Sequence, residues 1–444
     1  MLTTPESIRT LQRKLYRKAK LEPAWRFHAL YDKVYRADIL SHAYELVRAN
    51  KGSPGIDGVT FEGIKAKEGA SAFVAELTEA LKGKRYKPDP VKRVMIPKAD
   101  GSERPLGIPT IRDRVAQMAA KLVIEPIFEA DFCDTSYGFR PKRSAHDAID
   151  DVAYTLNQGC SEVIDADLSK YFDTIPHANL MAMVAERISD GAILHLIQMW
   201  LEAPVMEEDE DGTKRNIGGG KGNRKGTPQG GVISPLLANL YLHLLDRIWD
   251  RRQLQQRLEA RIVRYADDIV VLCRKGTKQP MAVLRQILTR MGLTLNEAKT
   301  RVVDVHQEKF AFLGFEICMA KSDRTGGYYP HVQPSKKSLK AIKDRITRLT
   351  ARTRTMVPLD LLIKEVNETV RGWVCYFHLR NCSKALGHVR WHLEERMRTH
   401  LRKRHKVRDR GTGNHRFTNR DLYERYGLYK VPTTAGWTKA NALR

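Results

Sequence analysis

Two adjacent carboxylates, Asp267 and Asp268, interrupt an otherwise apolar run, RIVRYADDIVVLCR. The flanking residues are rich in Val and Ile and read as two β-strands joined by a tight turn at Ala266-Asp267-Asp268. Strands this apolar must be buried, so the fold has to cover them while leaving two like charges at their junction. Neighbouring carboxylates repel each other. A hard divalent cation, which prefers carboxylate oxygens, relieves that repulsion. A solvated turn is the plain alternative for Ala-Asp-Asp taken alone.

A second set of carboxylates closes another apolar strand, VIDADLSKYFD. Alternation along the strand puts Asp165 and Asp167 on one face, and Asp167, nearer the end, can meet Asp267. Such a pair can hold two metal ions about 3.5–4 Å apart, the arrangement that clamps the attacking and leaving oxygens in nucleotidyl transfer. Asp173 precedes Thr174-Ile175-Pro176 and is expected to cap the helix PHANLMAMVAERI.

Two further segments add polar groups. In GTPQGG, residues 226–231, the glycines permit close backbone approach and Gln229 offers a donor and an acceptor to a nucleotide; a simple helix entry is the alternative. VKRVMIPKADGSERPLGIPT reads as a β-hairpin turning at Asp100-Gly101. Lys98 and Arg104 flank its tip, where they could grip a triphosphate or simply be solvated.

Charge narrows the partners. Lys and Arg number 77 against 52 Asp and Glu, a net +25. That surplus points to a polyanion, nucleic acid before an anionic membrane surface. Residues 371–444 alone hold 18 basic and 5 acidic side chains, about half of the excess in a sixth of the chain. No apolar run reaches ~18 residues and the N-terminus lacks an apolar h-region, so neither a membrane span nor a signal peptide is expected. The six scattered cysteines contain no Cys-x-x-Cys and read as buried thiols of a reducing compartment. Cys375, His378 and Cys382 supply only three ligands where a closed zinc site needs four.

Strands separated by helical stretches, followed by helices alone, predict an α+β core with an antiparallel sheet and then an all-helical basic domain. The expected divisions are a basic helical extension over 1–36, a region over 37–160, a carboxylate-bearing region over 161–320, a linker over 321–335, a helical domain over 336–410 and a basic tail over 411–444. The charged, glycine-rich stretch 207–225 is expected to be a hairpin tip or loop.

Together these blocks resemble the reverse transcriptases, and most closely the group II intron-encoded family. IPKADGSERPLGIPTIRDRVAQ is similar to the family's first fingers block and SYGFRPKRSAHDAI to its second. DADLSKYFDTIPH resembles palm motif A, GTPQGGVISPLLANLYLHLLD motif B, RYADDIVVLC motif C and LTLNEAKT motif D. FLGF is similar to the short motif leading to the thumb, and RGWVCYFHL with its basic helices to the maturase (thumb) domain. The resemblance runs over about residues 35–410 in the family's order.

It implies a right-hand polymerase: fingers over 37–160, a palm with an antiparallel sheet over 161–320, and a helical thumb. It implies that Asp167, Asp267 and Asp268 are catalytic and hold two Mg²⁺ ions, Mn²⁺ being an alternative. Lys98 and Arg104 would touch the incoming triphosphate, Gln229 would join the nucleotide pocket, Phe172 would be an aromatic steric gate against a 2′-hydroxyl, and Lys299 would protonate pyrophosphate. A core aromatic and a surface lysine are the plain alternatives for the last two. The implied partners are dNTPs, an intron RNA or other RNA template, and a DNA primer or target. The implied location is cytoplasmic, bacterial-type, with nucleoid association. With no cysteine after Cys382, the zinc-bearing nuclease domain of many relatives is not expected. A non-enzymatic maturase that binds intron RNA, and a domesticated relative serving defence or repair, are the competing readings.

Overall fold

The computed structural model describes residues 2–67, 69–97, 101, 103–209 and 211–436. Among them are eleven strands, numbered in chain order: β1 (Val91–Pro97), β2 (Glu103–Ile108), β3 (Glu162–Ala166), β4 (Val205–Glu208), β5 (Lys214–Gly218), β6 (Ala260–Tyr265), β7 (Asp268–Cys273), β8 (Arg301–Asp304), β9 (Phe310–Phe312), β10 (Phe315–Lys321) and β11 (Tyr328–Pro334). They form three sheets, β6-β7-β3-β8, β2-β1-β4-β5 and β11-β10-β9.

The central sheet β6-β7-β3-β8 is antiparallel throughout. Ile164, Ala166, Ile262, Ile269 and Val271 enter one core, shared with the helices Ile111–Glu129, His177–Arg187 and Ser234–Arg251. Val163, Val263, Val270, Leu272 and Val303 enter another, shared with the helix Ala145–Asn157 and with β9, β10 and β11. Burial on both faces explains why β6 and β7 read as continuous apolar runs rather than as alternating ones. Truncating a fully buried member such as Ile269 to Ala costs about 2–5 kcal/mol.

The helix Glu6–Leu21 lies on Ile111–Glu129, where Gln12 Nε2 donates to Leu122 O at 3.0 Å, so the N-terminal residues share the main core. The stretch 207–225 forms most of a β4–β5 hairpin that joins β1 in parallel, Val91 opposite Val205. The expected linker over 321–335 is instead the end of β10, a turn and β11. The helices Lys336–Leu349, Leu359–Phe377 and Ser383–Arg404 bury Ile346, Val366, Val370, Val389, Leu393 and Met397 against one another. Residues of the expected tail join that core: Phe417, Leu422, Leu428 and Val431 are all buried in it, so 411–436 packs on the helices. The bundle meets the sheets at one end of Leu359–Phe377, where the Phe377 ring lies 5.1 Å from Phe315 and Arg380 pairs with Asp150 at 2.7 Å. Cys382 is buried, whereas Cys375 is exposed, contrary to the expectation of uniformly buried thiols. Among the described residues no helix is long and apolar enough to cross a membrane.

Candidate active site

The antiparallel register decides where the carboxylates fall. β3 pairs with β7 so that Asp165 faces Val270 and Ala166 faces Ile269. One more step sets Asp167, just past the strand end, beside Asp268, and alternation gives Asp165, Asp167 and Asp268 the same face. Asp267 occupies the two-residue turn with Ala266, whose φ of 58° is left-handed. The segment 294–300 straps Asp167 in place. Asn296 N–H donates to Asp167 O at 2.8 Å, and Asp167 N–H donates to Thr300 Oγ1 at 3.4 Å. Lys299 Nζ thereby comes within 3.9 Å of Asp167 Oδ2.

The carboxylates feel each other. Asp268 is pushed up to about 6 by loss of water around it and by the charges of Asp267, Asp165 and Asp167. Asp165 also rises to about 6, through burial first; Arg301 pulls it down and Asp167 pushes it up. Asp267 is raised by burial and by Asp167, against the opposing pull of its own backbone N–H, Arg104 and Arg264. Among the described residues no three His, Cys, Asp or Glu side chains converge at metal-ligating geometry. The donor chemistry nevertheless fits a hard divalent cation: the set is all carboxylate oxygen, and burial makes each of these charges costly without a counter-ion.

The basic hairpin and the GTPQGG loop meet at this cleft. Arg104 Nε donates to Gln229 Oε1 at 2.8 Å, and Gly107 N–H donates to Gln229 O at 2.5 Å. A Cβ on Gly230, whose φ is 115°, would lie 2.4 Å from Gly107 O, so that loop can approach β2 only with glycine there. Thr227 N–H donates to Phe172 O at 2.7 Å, linking the loop to the short helix Tyr171–Thr174. The Phe172 ring is only 8% exposed and belongs to the main core. Lys98 lies outside the described residues. Asp173 does not cap the next helix. It sits inside Tyr171–Thr174, and His177–Arg187 begins after Pro176 with no side-chain cap, because the intervening Ile175-Pro176 is extended and carries Asp173 away.

Sequence reasoning missed three residues that shape the cleft. Gln117 Oε1 accepts from Val232 N–H at 2.9 Å and fixes the loop after Gln229. Thr300 holds Asp167, as described. Arg264 is fully buried behind the Asp267 turn. Its signal was present: an arginine in a strand whose neighbours are all apolar needs an internal partner.

Residues 96–317 match the family described as reverse transcriptase (RNA-dependent DNA polymerase), and residues 339–417 match the group II intron, maturase-specific domain. The chain is 35% identical over 354 residues to Protein YkfC of Escherichia coli (strain K12), covering 71% of this chain and 89% of that protein. It is 30% identical over 361 residues to the group II intron-encoded protein LtrA of Lactococcus lactis subsp. cremoris, covering 67% and 57%. It is 27% identical over 418 residues to an uncharacterized 91 kDa protein in the cob intron of Schizosaccharomyces pombe, covering 78% and 50%. The chain thus spans little more than half the length of these two intron relatives.

Proposed function

This chain belongs to the group II intron-type reverse transcriptases, and on that premise we propose that it extends a primer 3′-hydroxyl with dNTPs along an RNA template, using the cleft described above. The observation that carries this reading is the meeting, at one end of one sheet, of Asp167, Asp267 and Asp268 with the Arg104–Gln229 pair. The three aspartates are the residues that would hold two divalent cations, Mg²⁺ or Mn²⁺. Bound there, such ions favour the ionised hydroxyl and offset charge on the departing pyrophosphate. Arg104, with Lys98, binds the triphosphate, and the guanidinium plane suits two phosphate oxygens at once. Gln229, oriented by Arg104 and by Gly107, positions the nucleotide. Lys299, held at Asp167, is placed to give a proton to the leaving group. Phe172, buried in the main core and bonded through its carbonyl to Thr227, anchors the GTPQGG loop beside the cleft. In hand terms, the β2-β1-β4-β5 sheet serves as fingers, the central sheet as palm and the C-terminal helices as thumb.

The match over 339–417 favours a second role as a maturase for intron RNA. Primer extension on an RNA template with dNTPs and Mg²⁺ tests both roles, comparing wild type with Asp267→Ala/Asp268→Ala. Extension by wild type alone is expected, with intron splicing assistance kept by the variant. No extension by either, with tight RNA binding by both, would leave only the maturase role.

A further inference from the structure

The guanidinium of Arg264 is a junction of three distant sequence blocks. Arg264 is 0% exposed, and all five of its N–H groups have protein acceptors. Nε and Nη2 take the Asp246 carboxylate, at 3.0 and 2.5 Å. The second Nη2 hydrogen goes to Ser136 Oγ at 2.7 Å. Nη1 goes to Asn239 Oδ1 at 2.7 Å and to Ala266 O at 2.9 Å. Asn239 in turn donates from Nδ2 to Gly138 O at 2.5 Å. Backbone bonds from Arg264 N to Thr135 O (2.9 Å) and from Tyr137 N to Arg264 O (2.8 Å) lay the 135–138 segment along β6. Gly138 is pressed so close that a Cβ there would lie 2.3 Å from Ala266 N.

The ion pair with Asp246 uses two of the five donors. The other three go to Ser136 on the loop carrying Gly138, to Asn239 on the helix Ser234–Arg251, and to one carbonyl, that of Ala266. That carbonyl belongs to the peptide whose N–H is Asp267's, and Ala266 is a non-glycine residue held left-handed. Rotation of this peptide would swing the Asp267 side chain away from Asp167. We propose that Arg264 is a positioning residue for the reaction: it locks the Ala266–Asp267 peptide in the orientation that presents Asp267 to the metal ions, with Asn239 and Ser136 aligning it for that task. The inference rests on the reading of Asp267 as a metal-binding carboxylate.

Asn239→Ala tests it, because the variant keeps the Arg264–Asp246 pair while removing the Oδ1 acceptor that aligns Nη1, together with the Nδ2 bond to Gly138 O. Half-saturating Mn²⁺ for primer extension should rise about tenfold or more, with kcat reduced and KM for dNTP changed by less than about twofold, since a hydrogen bond to a charged group is lost. Mn²⁺ binding to the protein alone, read by electron paramagnetic resonance, should weaken by the same factor. Ala266→Gly in the Asn239→Ala background should restore part of the metal affinity, because glycine adopts the left-handed turn without help. A lowered Tm with unchanged Mn²⁺ requirement would overturn the proposal, as would a raised requirement that Ala266→Gly leaves untouched. Should Asn239→Ala fail to fold, Ser136→Ala carries the same comparison. Loss of Mn²⁺ binding in Asp267→Asn keeps the two ideas apart: if that variant binds Mn²⁺ normally, the metal assignment fails before Arg264 is judged.

Discussion

Arginines build structure both at the Asp267 turn and in the C-terminal helices, and the helical bundle in addition turns charge outward. Arg264 has its five donors on protein and none on water, so it fixes a shape. In the bundle, Arg404 donates to the carbonyls of Thr355 and Val357 and Arg398 to Phe417 O, so several of the most basic residues also build structure. Other charge of the same bundle is turned outward: Lys336, Lys337 and Lys340 are exposed along the helix Lys336–Leu349, as are Lys403, Lys406 and Arg408. Bond-making chemistry needs carboxylates placed to a fraction of an ångström, which burial supplies. Holding a polyanion needs only a field of the right sign, which exposed lysines supply.

Separating the two regions by mutation tests that contrast. The largest effect is expected from Asp267→Asn: extension should fall by about 10³-fold or more while RNA affinity in a filter-binding assay stays within about twofold. An equal loss in both assays would erase the distinction. The reciprocal variant, Lys336→Glu/Lys337→Glu/Lys340→Glu, should lower RNA affinity by about 10–100-fold at low salt and flatten its dependence on salt. Extension at saturating template should survive; its collapse would place these lysines in the chemistry.

A pH series sharpens the catalytic side. Asp165 and Asp268 are pushed up to about 6 from an ordinary value of 3.8. Between those values the folded chain keeps protons that the unfolded chain has released. These two groups therefore make metal-free stability fall as pH rises from about 4 to about 6. Asp113, raised to about 6 by burial, adds the same trend, and His243, lowered to about 4 by burial, opposes it. Both are untouched in Asp165→Asn/Asp268→Asn, so the difference in Tm profiles isolates the two aspartates. Mg²⁺ should raise the wild-type Tm above pH 6 and not near pH 4.5; an equal rise at both would detach the ion from these carboxylates. The smallest effect belongs to Lys299→Ala. Lys299 is exposed and reaches Asp167 only at 3.9 Å, so as an assisting proton donor it should change kcat by only about two- to fivefold, below the ~10²–10⁴-fold of a principal general acid. A loss beyond a hundredfold would make Lys299 a principal acid rather than an assistant.

Much of this was readable from residues alone, and the reasons differ by element. The strands around Asp267 and the ends of the helices Ala37–Ala49 and Ile111–Glu129 follow from apolar periodicity and turn residues, which are local signals. Alternation places Asp165 and Asp167 on one face, whereas the cross-strand register, which sets Asp167 beside Asp268 with Asp267 in the turn, is not legible in either strand alone. What failed was non-local. The stretch 321–335 carries Gly326-Gly327 and Pro330, local marks of a loop, but β10 captures it as a strand across the sheet. The tail was assigned by its charge, while Phe417, Leu422, Leu428 and Val431, spaced irregularly, proved to be core. Asp173 looked like a cap because sequence distance was read as distance in space. Arg264 was passed over because its partners lie 18, 25 and 128 residues away.

The helix Leu359–Phe377 has its far consequence in mechanics. Its C-terminal end is seated against Phe315 through Phe377, and its other end extends into the bundle. At 1.5 Å per residue its nineteen residues make a lever about 28 Å long. Its N-terminal part is buried in the bundle through Leu362, Ile363 and Val366, so one continuous helix spans from the bundle core to the contact with the sheets.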